Sequence, residues 1–511
     1  MGEFVATKIN YAAVLPMLIV FAAAMIGVLV EAFVPRASRY VAQLPLTLIG
    51  LAGALAALLL NSRDNQGITA AGAVVVDGPT LMFQGIVLAL SILAVLVMAE
   101  RLDREGADAF TQSGASVPGS PLEAQAERLG ATTTEVFPLT LFAVGGMMLF
   151  PASGNLLTMF VALEVLSLPL YIMTGLARRR RLLSQEAALK YFLLGAFSSA
   201  FFIFGAALIY GATTSTDLSV IAKAVGQVTG LDSLLVPGIL LVAVGLLFKV
   251  GAVPFHSWTP DVYQGAPSPV TGFMAACTKI AAFGAMARVF YVGFEALRWN
   301  WQPVLAVVAA LTMVVGAVLS ITQKDVKRLL AYSSITHAGF LLLGIVAMDR
   351  TSIAGLMFYL AAYGISTITA FALIALVRQS GAEATHLSQW AGLGRTSPVV
   401  AAVFAFMMLS FAGIPLTSGF TAKFALFAPA VAHGGVWLVV LAMLASAVTA
   451  FVYVRVIVLM YFSDPIDGVS VVNPSYLTYA AVAVGAALTL MLGVLPSPLL
   501  DAAKSASIFL R

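Results

Sequence analysis

The sequence predicts an all-α, polytopic membrane protein with about fourteen transmembrane helices. Of its 511 residues, 61% are hydrophobic and only 10% are charged, whereas soluble domains are about 25% charged. Apolar runs long enough to cross a bilayer, roughly 18 residues or more, recur along the whole chain. Glycine and proline interrupt two of these runs, which predicts two broken helices within the membrane.

Each predicted span is an apolar segment bounded by polar or turn-forming residues. The first run is longer than the core of a signal peptide, so we expect it to remain as the first span. The polar stretch from 100 to 133 is expected to be a mobile loop without chemistry. The spans are predicted near 11–33, 43–61, 79–99, 134–150, 154–177, 185–211, 235–254, 266–294, 302–322, 325–347, 352–378, 397–430, 434–462 and 474–498.

Basic residues determine the predicted orientation. Of the 27 Lys and Arg residues, fourteen lie in loops after odd-numbered spans and seven lie on the opposite side. The richer side is cytoplasmic by the positive-inside rule, so both termini are predicted on the outer side. Because the basic residues serve topology, the net charge of +4 does not indicate nucleic-acid binding. The remaining six lie within spans: Lys190, Lys249, Lys279, Arg288, Lys423 and Arg455. Arg288 and Arg455 lie close enough to helix ends to extend toward the headgroups.

The two interrupted runs share a short motif. GAVPFHS (Gly251–Ser257) and AGIPLTS (Ala412–Ser418) start 161 residues apart and interrupt the seventh and twelfth spans. Five spans separate them, and an odd number inverts the topology of the second copy. Paired broken helices in corresponding halves indicate a transport site. After the first break, Thr259 is expected to cap a short helix that places Asp261 in its positive first turn, an architectural role.

Glu164 is the one acidic residue predicted well inside a span. It lies roughly 15 Å along its helix, near the middle of the bilayer. Ionisable groups at this depth are costly and usually functional. Its natural partners are Lys249 and Lys190. The alternative is a structural carboxylate that holds two helices together through a hydrogen bond.

The lysines within spans are the second indication of function. Each costs about 2.5–3.5 kcal/mol at the membrane centre, and one acid cannot neutralise four of them. Lys249 precedes the first break, where Pro254 leaves the carbonyl of Val250 without its helical partner. Lys279 lies mid-span and Lys423 follows the second break. Lys190 is nearer a helix end, so it can also be read as an interfacial lysine.

These groups suit proton transfer. Burial makes an ammonium group easier to deprotonate and a nearby carboxylate makes it harder, so a Glu–Lys pair can load and unload a proton. His256 and His337 could extend such a chain, although a membrane histidine is often only a packed, hydrogen-bonded residue. The single cysteine, Cys277, excludes a disulfide framework. The sequence has no spacing typical of a metal site, no phosphate-binding glycine loop and no nucleophile motif.

Four blocks of sequence resemble a known family. The chain is similar to the antiporter-like membrane subunits of respiratory NADH:quinone oxidoreductase (complex I), most of all to the N type, over residues 11–495. The sequence motif DVYQGAP and a lysine at position 423 favour the N type over the L and M types. The blocks are FKVGAVPFHSWTPDVYQGAP, CTKIAAFG, QKDVKRLLAYSSITHAG and AGIPLTSGFTAKF.

The resemblance implies a fold and a division of the chain. It implies fourteen transmembrane helices with two inverted five-helix repeats and broken seventh and twelfth helices. The segments would be a three-helix segment with its polar loop (1–133), the first repeat (134–294), the second repeat (302–462) and a C-terminal helix (463–511). It also implies a multi-pass location in the bacterial plasma membrane.

The resemblance also implies roles for the charged residues. Glu164 and Lys249 resemble the coupling pair, Lys279 the central relay lysine, and Lys423 the terminal lysine that faces the next subunit. Lys190 resembles an extra lysine of the N type. Quinone reduction in other subunits would then drive proton transfer along this axis.

Partners and cofactors follow from the same resemblance. The neighbours would be an M-type subunit on one side and small K/J-type subunits on the other, in contact with membrane lipid. NADH, FMN, iron–sulfur clusters and quinone would belong to partner subunits, with no cofactor in this chain.

Three other functions are compatible with parts of the sequence. An Mrp-type cation/proton antiporter subunit would share the fold, and its neighbouring genes would distinguish it. A scaffold that only docks other membrane subunits would keep its activity after the lysines were neutralised. A solute transporter is disfavoured because the spans contain no polar cluster suited to a substrate larger than an ion.

Overall fold

Long apolar helices account for most of the structure, as the sequence predicts. The computed structural model describes residues 9–101, 108–114, 116–128, 133–225 and 232–510. Within these ranges, twelve helices are long and apolar enough to cross a membrane. Three shorter apolar helices, Val136–Ala152, Pro398–Ala412 and Ser418–Ala432, accompany them. The prediction of a multi-pass, all-helical membrane protein is therefore confirmed.

The N-terminal part contains three long helices and an antiparallel hairpin. Its elements are α1 (Tyr11–Phe33), α2 (Arg36–Ala57, continued by a π-helical turn at Leu58–Ser62), β1 (Gly67–Thr69), β2 (Val74–Val76) and α3 (Gly78–Met98). Helix α2 begins at Arg36, so the start predicted near 43 is wrong. The first turns of this helix are polar, and Arg39 stabilises them by pairing with Glu31 at 3.1 Å.

The next part packs closely around α5 and α6. Its elements are α4 (Pro121–Arg128), α5 (Val136–Ala152), α6 (Leu156–Thr174), α7 (Arg181–Thr213) and α8 (Leu218–Val225). A Cβ atom added at Gly146 would lie 2.4 Å from the backbone nitrogen of Leu166. Only glycine therefore permits this approach of α5 to α6, the helix that carries Glu164.

The first predicted break is present. Its elements are α9 (Asp232–Val250), α10 (Trp258–Gly265), α11 (Ser268–Phe273), a π-helical turn (Met274–Thr278), α12 (Lys279–Arg288) and a second π-helical turn (Val289–Gly293). Residues 251–257 between α9 and α10 are not helical. The prediction that Thr259 caps α10 is wrong. The helix begins at Trp258, and the Thr259 hydroxyl has no hydrogen-bond partner among the described atoms.

The remaining helices contain the second break. They are a 3-10 turn (Glu295–Leu297), α13 (Arg298–Ile321), α14 (Val326–Val346), α15 (Arg350–Leu376), a 3-10 turn (Leu387–Trp390), α16 (Leu393–Thr396), α17 (Pro398–Ala412), α18 (Ser418–Ala432), α19 (Val436–Phe462), α20 (Tyr476–Val494) and α21 (Ser497–Ser505). The chain leaves the helical conformation between α17 and α18, at residues 413–417. Segment Ser268–Gly293 and helix α15 are buried over almost their whole length and form the centre of the molecule.

A small antiparallel sheet joins two connections on one side. It has the order β4–β3–β5, with β3 (Val377–Gln379), β4 (Ala382–Glu383) and β5 (Val469–Val471). Arg378 pairs with Glu383 in one ladder and with Ser470 in the other. The sheet ties the connection after α15 to the connection after α19.

Ion pairs join the described part of the polar loop, which the sequence predicts to be mobile and without chemistry, to arginines just before and at the start of α7. Arg178 binds Asp108 at 3.0 Å and Arg181 binds Glu123 at 3.1 Å. Burial raises the pKa of the Asp108 carboxyl above its usual value. Residues 102–107, 115 and 129–132 of the predicted loop lie outside the described part.

Arg288 does not extend to the headgroups, so that prediction is wrong. Its side chain is 1% exposed and binds Asp77 at 2.7 Å. It also donates to the carbonyl of Pro151 at 2.5 Å and to the Thr80 hydroxyl at 2.7 Å. Asp77 completes the cluster by accepting from the backbone N–H of Leu510 at 2.9 Å. The pair thus connects α3, α5, α12 and the segment after α21.

Replacing Arg288 with methionine is expected to destabilise the protein by about 3–5 kcal/mol, because Asp77 would stay buried without its counter-charge. Thermal unfolding of the purified protein in detergent measures this loss. The matched control is Arg395→Gln, which removes a pair with Asp464 whose arginine is 60% exposed and should change stability little. Equal melting temperatures for the two variants would contradict this assignment.

Candidate functional site

Three buried lysines lie close to the irregular points of the fold. The exposed fraction is 4% for Lys249, 4% for Lys279 and 8% for Lys423. Among the described residues, none of the three has a carboxylate within ion-pair distance. Burying a charge without a counter-charge is costly, so the groups around each ammonium decide what it can do.

Lys249 is solvated by two hydroxyl groups. Its Nζ donates to Ser167 Oγ at 2.8 Å and to Tyr191 OH at 3.2 Å. The Tyr191 ring is stacked on Trp258 of α10 with 4.7 Å between centroids. Its edge-to-face contact with Tyr171 also measures 4.7 Å. The break thus positions α10 so that Trp258 fixes a ligand of the lysine. The carbonyl of Val250, which Pro254 was expected to leave without its helical partner, is not among the partners of this ammonium in the described structure.

Glu164 lies one helical turn before Ser167 on α6. Its Oε1 is buried without a hydrogen-bond partner among the described atoms. The predicted direct contact with Lys249 is not formed, since the Lys249 ammonium binds Ser167 and Tyr191 instead. The Ser167 hydroxyl itself donates to the carbonyl of Leu163. Residues three apart share a helix face, so Glu164 and the serine that binds Lys249 lie on the same side of α6.

Lys190 has different partners from those predicted. Its Nζ binds Glu186 at 2.7 Å and Asp261 at 2.8 Å, and its side chain is 42% exposed. Asp261 also binds Arg328 at 2.6 Å. The expected contact with Glu164 is therefore absent from the described structure. Asp261, predicted to be only a helix-start residue, joins α7, α10 and α14.

Lys279 binds a single residue of α14 through two oxygens. Its Nζ donates to the carbonyl and to the hydroxyl of Ser334, both at 2.6 Å. The Ser334 hydroxyl is 3.2 Å from Tyr263 OH, and the Tyr363 ring lies 5.5 Å from the ammonium. Lys279 directly follows the π-helical turn Met274–Thr278, a distortion often found at functional sites.

His337 continues the polar row along α14, one turn after Ser334. Its Nδ1 is 2.7 Å from Tyr359 OH, and its Nε2 is 3.4 Å from Tyr453 OH. Tyr453 OH in turn lies 2.5 Å from Ser333 Oγ. The side chain is 3% exposed, so the structure places it between hydroxyl groups in the interior.

Lys423 is held by the end of the preceding half-helix. Its Nζ donates to the carbonyls of Phe411 at 3.0 Å and Ala412 at 2.7 Å, and to Ser446 Oγ at 2.7 Å. Helix α17 ends at Ala412, so these carbonyls belong to the negative end of its dipole. The second break therefore supplies backbone oxygen to a buried cation.

His256 lies apart from these groups. It is partly exposed at the first break, and its Nδ1 has no hydrogen-bond partner among the described atoms. Pro254 and Ser257 beside it are also exposed. The structure brings it into none of the three lysine environments.

Sequence reasoning missed the neutral residues that surround the lysines. Hydroxyl groups are common inside membrane helices, so residue type alone does not single them out. Helical spacing was the one usable signal, because Ser167 follows Glu164 by three residues and Ser334 precedes His337 by three. The missed residues are Ser167, Tyr191, Tyr263, Ser334, Tyr359, Ser446 and Tyr453.

The described residues contain no group of three or more His, Cys, Asp or Glu that could hold a metal ion. The oxygens around the lysines come from hydroxyls and carbonyls. These can hydrogen-bond to an ammonium group or to a neutral amine, because a hydroxyl can donate as well as accept.

Known proteins resemble the chain over almost its whole length. The family described as "NADH:quinone oxidoreductase/Mrp antiporter, TM" matches residues 153–449. A protein of Rhodococcus opacus named NADH-quinone oxidoreductase subunit N is 57% identical, covering 99% of this chain and 97% of the relative. A Salinispora arenicola protein of the same name is 54% identical over 100% of both chains.

Solved structures show the same similarity over almost the whole chain. A chain of respiratory complex I from Thermus thermophilus with bound aureothin is 35% identical, with a TM-score of 0.77, and the match covers 96% of this chain and 99% of that one. A chain of the Mrp complex from Dietzia has a TM-score of 0.78 over 98% of this chain and 97% of that one. Its identity is 22%, so it shows the shared fold alone. The chain therefore belongs to the NADH:quinone oxidoreductase/Mrp antiporter family of membrane proteins, among relatives named subunit N.

Proposed function

We propose that the chain is the proton-translocating, antiporter-like N-type membrane subunit of a bacterial NADH:quinone oxidoreductase. Protons would pass along Glu164, Lys249, Lys279 and Lys423 while quinone is reduced in other subunits. One observation supports this most strongly: three lysines are buried with no carboxylate partner among the described residues, and each is surrounded by neutral oxygens. The subunit name of the 52–57% identical relatives supports the same assignment.

The chemistry follows from the neutral environment. A carboxylate within ion-pair distance would favour the charged form of a lysine and oppose proton release. Hydroxyls and carbonyls stabilise an ammonium group less strongly and also bind a neutral amine. Ser167, Ser334 and Ser446 can each reverse the direction of their hydrogen bond when the lysine loses its proton. Lys249, Lys279 and Lys423 can therefore alternate between two protonation states.

The geometry suggests an order of transfer. At one end, Glu164 and Ser167 share a face of α6, and Ser167 binds Lys249. Lys279 binds Ser334, and His337 follows Ser334 on the same face of α14. The His337 ring lies 6.0 Å from the ring of Phe411, whose carbonyl binds Lys423. We propose His337 with its tyrosines as the relay between Lys279 and Lys423.

Lys190 and His256 take lesser parts in this proposal. Two carboxylates bind Lys190, which favours its charged form and suits an electrostatic role toward Lys249. His256 lies at the surface of the first break, where it could exchange protons with an adjoining subunit or with lipid headgroups.

The assembly extends the proposal beyond this chain. We propose an M-type neighbour on the Lys423 side and small K/J-type neighbours on the Glu164 side. NADH, FMN, iron–sulfur clusters and quinone would lie in other subunits. With Val136–Ala152 crossing the membrane and α17 and α18 forming one broken span, the proposed topology has fourteen crossings, with both termini outside the plasma membrane.

Replacing Lys249 or Lys279 with methionine is expected to lower proton pumping and coupled NADH oxidation about tenfold or more, because each transfer would lose its proton carrier. Pumping is measured in membrane vesicles, and assembly is measured by the amount of complex recovered. Lys504→Met is the matched control, since that side chain is 62% exposed. Normal pumping in both core variants would refute the relay.

Purification through a tag on this chain tests the complex itself. We expect to recover a large NADH-oxidising assembly. A small assembly without NADH oxidation would instead favour the Mrp-type antiporter.

Ser167→Ala is expected to slow pumping about tenfold, since a hydrogen bond to a charged group contributes roughly 1.5–3 kcal/mol. Ser91→Ala is a close control. Like Ser167, Ser91 is buried and donates to the carbonyl four residues before it, but it contacts no lysine. An equal, small effect of both substitutions would mean that the Ser167 hydroxyl is only structural.

Thiol labelling tests the orientation. Cys277 is buried, so single cysteines introduced at the exposed positions Gln66 and Ser388 can be labelled selectively. We expect a membrane-impermeant maleimide added to intact cells to label Gln66→Cys, and Ser388→Cys only after permeabilisation. The reverse pattern would invert the proposed topology.

A further inference from the structure

A polar cavity lies where the connections on one side of the membrane converge, apart from the lysine row. Its volume is about 270 Å³. The cavity is lined by the polar loop after α3, the α6–α7 and α10–α11 connections, the start of α14, and the sheet β4–β3–β5. The cavity is smaller than the roughly 300–1,000 Å³ typical of organic ligands, which favours a compact ligand group.

Positive charge dominates this cavity. Five cationic side chains and two carboxylates line it, so the cations exceed the anions by three. The cations are Arg178, Arg179, Arg180, Lys327 and Arg378, and the carboxylates are Asp108 and Glu383. Loops rich in Arg and Lys are common on one side of a membrane protein, but here they enclose a concave site.

The cavity is preorganised by its own contacts. Lys327 is 1% exposed and donates to the Ala266 carbonyl at 2.6 Å and to Glu383 at 3.1 Å. Arg180 donates to the Thr385 hydroxyl at 2.6 Å and to the Glu383 carbonyl at 3.3 Å. Burial alone would raise the pKa of Glu383, but Lys327 and Arg378 hold it below its usual range. Glu383 is therefore ionised at neutral pH and already balances part of the charge.

Arg179 differs from its neighbours. It lines the cavity and is exposed, and it makes no ion pair or hydrogen bond with the described residues. A guanidinium group presents a planar fork of donors that matches two oxygens of a phosphate. Arg179 can thus receive an anion without breaking an internal contact, and Arg180 beside it can join by exchanging its bonds to Thr385 and the Glu383 carbonyl for bonds to the anion.

We propose that this cavity binds a multiply charged phosphate group through Arg179 and Arg180, with Lys327 and Arg378 behind them. The surplus of three positive charges matches a diphosphate better than a single phosphodiester. This site goes beyond proton transfer and involves none of the buried lysines.

The phosphate could come from either of two sources. A second cavity of about 560 Å³ shares Arg178, Arg179 and Arg180 and extends to Leu182 and Leu183. Leu182 is 72% exposed at the start of the membrane helix α7, so a lipid could place its headgroup on the arginines and its chains beyond the leucine. A free diphosphate would enter from the aqueous side and use the same donors.

Two binding measurements on the purified complex separate these sources. Equilibrium dialysis with radiolabelled pyrophosphate detects the free anion. Reconstitution in phosphatidylcholine with and without a lipid that has two headgroup phosphates (cardiolipin), followed by lipid quantification after repurification, detects the lipid. The double variant Arg179→Gln/Arg180→Gln is expected to weaken whichever probe binds by about tenfold or more. Arg395→Gln, an exposed arginine that does not line the cavity, is the control and should bind as the wild type does.

The outcomes decide the proposal. Pyrophosphate binding that the double variant loses supports the soluble source, and lipid retention that it loses supports the headgroup. Glu383→Gln should tighten binding severalfold, because it removes a competing anion without removing a donor. Equal binding of both probes by the wild type and the double variant, or an equal loss in the control, would overturn the site. Arg179→Gln alone keeps the test valid if the double variant is unstable, since Arg179 makes no ion pair or hydrogen bond within the described part of the chain.

Discussion

The structure depends on the solvation of buried ammonium groups by neutral oxygen. In an uninterrupted apolar helix the backbone carbonyls accept hydrogen bonds within the helix, so no acceptor is left for a lysine ammonium group. The two breaks change this in different ways. At the second break the last carbonyls of α17 bind Lys423 directly. At the first break the chain re-enters as α10, whose Trp258 stacks on the tyrosine that binds Lys249.

Cations that bind carboxylates have a different role in the structure from that of the three buried lysines. Arg288, Lys327 and Lys190 all bind acids, and all three join segments distant in sequence. Removing such a partner would leave a buried or half-buried charge, so these pairs stabilise the fold. Lys249, Lys279 and Lys423 have no such carboxylate among the described residues and are held by neutral oxygens and surrounding packing. The paired cations therefore stabilise the fold, whereas the proposed proton transfer depends on the unpaired ones.

The sequence predicted the architecture well because hydropathy and helix-breaking residues act locally. Most helix bounds and both breaks follow from such signals, whereas the polar start of α2 at Arg36 was missed. The family came instead from the resemblance of four sequence blocks. The site was predicted less completely. The sequence pointed to Lys249, Lys279 and Lys423, but not to the side chains that bind them.

The helices were predicted better than the site because a side chain's hydrogen-bond and ion-pair partners depend on which helices pack together. No local sequence pattern encodes that packing. Asp261 and Lys190 lie 71 residues apart, and Arg288 and Asp77 lie 211 apart, so propensity rules cannot pair them. Hydroxyl residues are especially hard to assign from sequence, because the same serine can face lipid, a backbone carbonyl or an ammonium group without any difference in the local pattern.

The π-helical turn before Lys279 determines how this helix responds to the loss of a residue. Such a turn accommodates one more residue than an α-helical turn, whereas each residue of a regular α-helix rotates the chain by about 100°. Deleting one residue between Met274 and Thr278 would therefore convert the π-helical turn into a regular one and leave Lys279 close to Ser334. The same deletion between Lys279 and Arg288, where the helix is regular, would rotate Arg288 away from Asp77.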